Sequence, residues 1–144
     1  GALDYGYGSD TWSGNPLASA AVLATLDEFE TTDVLEQGQR LSVVLEQGLE
    51  RLKQTGVVAN IRGEGCVWGI ECCEVGTHSA REVANACVKT CYVGDRHGYA
   101  VHLLGPLAGK VLRVSPPLVM PTDEAQQYLD TMYGLFQDLA KQLQ

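Results

Sequence analysis

Residues 8–21, GSDTWSGNPLASAA, place the hydroxyls of Ser9, Thr11 and Ser13 and two glycines directly before Asn15-Pro16 and a run of small residues. A helix that starts here exposes backbone N–H groups with no partner inside the helix. They can take either a capping side chain or a bound anion such as phosphate. Asn15 is a good cap, and Pro16 suits the first helical position. The residues alone leave both readings open.

A second group with chemical potential is the set of five cysteines, Cys66, Cys72, Cys73, Cys87 and Cys91. Cys87 and Cys91 are spaced to share a helix face, as metal ligands can be. However, no Cys-x-x-Cys occurs, and His78, His97 and His102 show no ligand spacing. The odd count and the adjacent Cys72-Cys73 pair argue against a secreted disulfide framework. The expectation is buried, reduced, structural thiols and no metal. A thiol-based metal or redox protein is the weaker alternative.

The elements that must position these residues come from 144 residues, 45% of them hydrophobic, enough for one folded unit with a real core. The net charge of −8 argues against nucleic acid and anionic membrane surfaces as partners. No apolar run approaches a bilayer span, and no basic segment followed by an apolar stretch opens the chain. A cytoplasmic location is the expectation.

Residues 16–30 read as an Ala-rich helix. Residues 34–55 read as a long amphipathic helix through Leu35, Leu41, Val44, Leu45, Leu49 and Leu52, stopped by Gly56. The period then changes. Residues 57–62 and 66–72 read as strands joined by the turn 63–65. Residues 79–93 return to helix, with Ser79 and Glu82 in capping-box spacing. Two more strands are expected at 98–104 and 110–114, the second ended by Pro116-Pro117. A terminal amphipathic helix follows from 123 to 142. The order predicts an α+β fold, with a small, mostly antiparallel sheet covered by helices and preceded by a long helix.

Three stretches, TWSGNPLASAA, IRGEGCVWGIE and VLRVSPPLVM, occur in that order before the terminal helix. Together they resemble the C-terminal part of class III aminotransferases, the pyridoxal-phosphate enzymes related to acetylornithine, ornithine and 4-aminobutyrate aminotransferases. The resemblance covers nearly the whole chain. It implies the small C-terminal domain of a fold-type-I enzyme over 57–144. It also implies a helix and a long interdomain-type helix over 15–56, and a phosphate-binding-like turn over 1–14.

The resemblance also implies site residues. Thr11 matches a threonine that binds the cofactor phosphate from the neighbouring subunit of a dimer. A hydroxyl beside free backbone N–H groups suits an anion. Asp10, just before it, departs from the small or hydroxylated residue common there, and a carboxylate repels phosphate unless it points away. Arg113 matches an arginine that pairs with a substrate carboxylate, a task suited to a guanidinium fork. The plain alternative is an arginine paired internally, for example with Glu71. Arg62, Gly63 and Gly65 match as structural residues.

The family's Schiff-base lysine and the aspartate on the pyridinium nitrogen belong to the large domain, upstream of the matching region. Lys53, Lys89, Lys110 and Lys141 do not match the lysine motif and read as surface charges. The chain is therefore expected to hold no catalytic residue of its own. It would be a truncated part of an enzyme that transfers an amino group from an amino acid or amine to a 2-oxo acid. The alternative is a non-catalytic binding or oligomerisation module.

Overall fold

A computed structural model describes residue 11 and residues 13–106 and 108–144. The chain divides into two compact units, Gly1–Val34 and Leu35–Gln144. The described core of the first unit is α1 (Pro16–Thr31). Its start is capped as the sequence predicts. Asn15 Oδ1 accepts from the backbone N–H of Leu17 at 2.9 Å and of Ala18 at 3.2 Å. No residue of α1 is buried, and Leu17 is 79% exposed.

The second unit is built on α2 (Val34–Arg51), which buries Leu41, Leu45 and Leu49 along one stripe. The helix expected over 34–55 is α-helical only to Arg51. Its last turn tightens into a 3-10 turn, Leu52–Thr55, before Gly56 at φ +85°. The tightening buries both Leu52 and Thr55, and the Thr55 hydroxyl donates to Leu52 O at 2.6 Å.

Three antiparallel strands follow, β1 (Val58–Glu64), β2 (Val67–Cys72) and β3 (Val111–Val114), in the order β1-β2-β3. The hairpin turn is the two-residue Gly65-Cys66 rather than 63–65, because Gly63 and Glu64 remain paired with Trp68 and Val67. Gly65 takes the φ of +59° that a tight hairpin requires.

The register decides what each face carries. Ile61, Ile70 and Leu112 lie side by side and are buried. α3 (Ala80–Val93) packs on β2 and β3, and α4 (Thr122–Leu143) packs on α3 and the 3-10 turn. The adjacent row, Arg62, Gly69 and Arg113, therefore lies on the opposite, outward face.

The strand expected over 98–104 is not formed. Only Leu104 pairs, in an isolated bridge to Arg113. The backbone of this stretch is satisfied elsewhere. Asp95 Oδ1 accepts from the N–H of His97 at 2.8 Å and of Tyr99 at 2.9 Å, and Val101 N–H donates to Cys91 O at 2.9 Å. A segment whose donors are spent in a turn and on a helix end has few left for a ladder. The α+β architecture with a small antiparallel sheet and helices holds. No helix among the described residues is long and apolar enough to cross a membrane.

Candidate functional site

The outward sheet face carries a cluster of charged side chains. Glu71, on the same face of β2 as Gly69, accepts from Arg62 Nη1 at 3.0 Å and from Lys110 Nζ at 2.7 Å. Lys110 first, and then Arg62, holds its carboxyl below the usual glutamate value. The carboxylate that an internal pairing of Arg113 would have used is thus already engaged. Arg113 is exposed, and its side chain has no ion pair among the described residues. β3 and Ser115-Pro116-Pro117 fix its backbone, and Leu104 flanks it on the far side.

A cleft of about 450 Å³ is lined by Arg113, Val114, Pro116, residues 100–103 and the Tyr128 to Met132 face of α4. A larger groove of about 850 Å³, between α3 and α4, is lined by Lys89, Asp95, Asp130 and Asp138 among others. It contains none of the residues that the sequence singled out for cofactor or substrate. Its size alone gives it no chemistry.

In the first unit, Thr11 is exposed, ahead of the turn containing Ser13 and Gly14, with Gly14 at φ +75°. The first N–H groups of α1 are already taken by Asn15. Thr11 thus stands exposed ahead of a helix start whose Leu17 and Ala18 N–H groups are not open to an anion. Asp10 and most of the 1–14 turn segment lie outside the described residues.

All four lysines are exposed. Lys53 pairs with Glu50, Lys110 with Glu71 and Lys141 with Asp138. A nucleophilic lysine is desolvated or set beside another cation. These lie in solvent or beside carboxylates.

Cys66, Cys72, Cys87 and Cys91 are buried as free thiols, and Cys73 is half-buried. Burial pushes Cys91 up to about 12, and the Cys72 thiol beside it, with burial, pushes Cys87 well up. Among the described residues no three His, Cys, Asp or Glu side chains converge to hold a metal ion.

Sequence reasoning named Glu71 only as a candidate partner of Arg113, and its actual partners, Arg62 and Lys110, were missed. Its signal was the alternation of IRGEGCVWGIEC. The pairing with Arg62 depends on the hairpin register, which a two-residue turn sets and a three-residue turn would have shifted.

The sequence model of the family described as Aminotransferase class-III matches residues 2–135. An acetylornithine aminotransferase from Agrobacterium fabrum is 36% identical over 122 residues, covering 83% of this chain and 27% of that protein. An isoleucine 2-epimerase from Lentilactobacillus buchneri is 32% identical over 127 residues, covering 88% of this chain and 27% of that protein. Among solved structures, an adenosylmethionine-8-amino-7-oxononanoate aminotransferase from Methanocaldococcus jannaschii superposes with a TM-score of 0.72 at 26% identity. That match covers 92% of this chain and 30% of the other. The chain thus spans less than a third of the length of these relatives.

Proposed function

The chain belongs to the class-III aminotransferase family, and from that premise we propose that it is the C-terminal part of a pyridoxal-phosphate enzyme. That enzyme moves an amino group from an amino acid or amine to a 2-oxo acid. The observation that carries the reading is the family match over residues 2–135, set against the small share of each relative that the chain spans. On this reading residues 1–14 are the phosphate-binding turn, 15–56 hold a helix and the interdomain helix, and 57–144 are the small domain.

When bound, the cofactor supplies an electron sink for bond breaking at the amino acid. The chain's own residues contribute binding. The Thr11 hydroxyl donates to a phosphate oxygen held mainly by other parts of the enzyme. The Arg113 guanidinium takes a substrate carboxylate through two parallel N–H donors. Its lack of an ion pair among the described residues supports that role. The large domain and a second subunit supply what is absent from these residues, including the nucleophilic lysine. The chain alone is therefore inactive, and the assembled enzyme is a cytoplasmic homo-oligomer.

The test is a spectrophotometric titration of the purified chain with pyridoxal phosphate, then borohydride reduction, mass spectrometry and a transamination assay. The expected result is no stoichiometric lysine adduct and no turnover. One saturable adduct on a single lysine, with turnover, would overturn the reading.

A second reading, a non-catalytic oligomerisation module, is supported by α1. Leu17, Val22, Leu23 and Leu26 are all at least half exposed on a helix with no buried residue. Apolar surface of this kind is normally covered. Light scattering distinguishes the two. A discrete oligomer that needs no other protein favours the module, and a monomer favours the enzyme fragment.

A further inference from the structure

The pairing register places Arg62 and Arg113 opposite the same residue, Gly69, on the outward face of the sheet. Gly69 carries no side chain, so the two arginines flank a shallow notch, narrowed on one side by Val111, whose Cγ1 lies 3.2 Å from where a Cβ at Gly69 would sit. Their Cα atoms are two strand spacings apart, about 9.5 Å, which two arginine side chains can close around a small ligand. Both residues are exposed, with 61% of the Arg62 side chain open to solvent. In a chain of net charge −8, this face sets Arg62, Lys110 and Arg113 around the carboxylate of Glu71, with Glu64 two residues beyond Arg62 on the same face of β1. Glu71 contacts Arg62 and Lys110 and leaves Arg113 alone.

We infer that Arg62 is a second anion-binding residue beside Arg113, and that Glu71 is the internal competitor that holds Arg62 until a ligand arrives. This rests on the reading of Arg113 as a carboxylate-binding residue. The ligand chemistry it fits is a short dianion, one charge for each guanidinium. Glu71 loses little when Arg62 exchanges partners, because Lys110 remains on its other oxygen at 2.7 Å. The exchange is an ion-pair swap in which no covalent bond changes. Arg62 therefore acts on specificity, favouring a doubly charged ligand over a singly charged one of the same size.

The test uses the full 144-residue chain and succinate as probe, with butyrate as the singly charged comparison. Binding is followed by the NMR signals of the arginine Nε–H groups. Succinate is expected to shift the signals of both Arg62 and Arg113, and to bind more tightly than butyrate. Arg62→Gln should weaken succinate about three- to fivefold, and Glu71→Gln should tighten it by a similar factor, the scale of one exposed ion pair. Lys89→Gln, the same charge change on α3, should leave the affinity unchanged.

If the Arg113 signal responds and that of Arg62 does not, the inference fails while the reading of Arg113 stands. If neither responds, both fail. Unaltered affinity in Glu71→Gln removes Glu71 as competitor. An equal loss in Lys89→Gln would reduce the effect to net charge and overturn the proposal. The amide spectrum of each variant reports whether its fold is retained.

Discussion

Glu71 shows how much of this chain's chemistry depends on one side chain's partners. Its carboxyl is held below the usual glutamate value of 4.5, by Lys110 and then by Arg62. Glu82 is held low by the Ser79 hydroxyl and backbone. A carboxyl lower in the folded than in the unfolded chain stabilises the fold above its ordinary value. That stabilisation is lost as pH falls through the folded-state value. Urea midpoints should therefore drop as pH falls below 4.5, and the drop should be shallower in Glu71→Gln. An identical pH profile for the variant would show that the Glu71 pairs carry no stability. Arg113 was legible as a candidate from the VLRVSPPL stretch and its family resemblance. Its freedom from Glu71 was not, because the partner of an arginine nine or more positions from any candidate carboxylate is set by strand register rather than by local sequence.

The elements that hold these residues can be tested one junction at a time. α3 begins with a complete capping box, in which Ser79 N–H donates to Glu82 Oε2 at 2.8 Å and Glu82 N–H donates to Ser79 Oγ at 3.4 Å. Ser79→Ala should cost about 1 kcal/mol in urea unfolding. α2 and α4 approach closely at Gly48, where an added Cβ would lie 2.5 Å from Leu129 Cδ1. Gly48→Ala should destabilise by about 1–3 kcal/mol through overpacking. Pairing it with Leu129→Ala should give less than the sum of the two single losses, a coupling visible only in the double-mutant cycle. The caps were readable because a cap is a local event spanning three or four residues. The failed strand over 98–104 also carried a local signal, the GDRHG turn chemistry of residues 94–98. The alternation that followed it concealed that signal.

For the whole chain, burial decides the thiols' behaviour. The thiolate is the reactive form; the Cys72 thiol together with burial keeps Cys87 protonated, and burial keeps Cys91 protonated. A colorimetric thiol reagent should label at most Cys73 quickly in the native chain, and all five cysteines after unfolding in urea. Rapid native labelling of Cys87 or Cys91 would contradict the packing of α3 on the sheet. Hydrophobic spacing, cap residues and turn glycines by themselves determined the helices α1 to α4, the β1-β2 hairpin and the strand that ends at Val114, since each depends on neighbours within a few residues. Only the tertiary structure decided that β3 pairs with β2 while 98–104 contributes one bridge. It alone placed Arg62 and Arg113 opposite Gly69 and gave Glu71 to Arg62 and Lys110. Those are contacts between distant segments, chosen by which register buries Ile61, Ile70 and Leu112 together while satisfying the backbone, and no local pattern contains that choice.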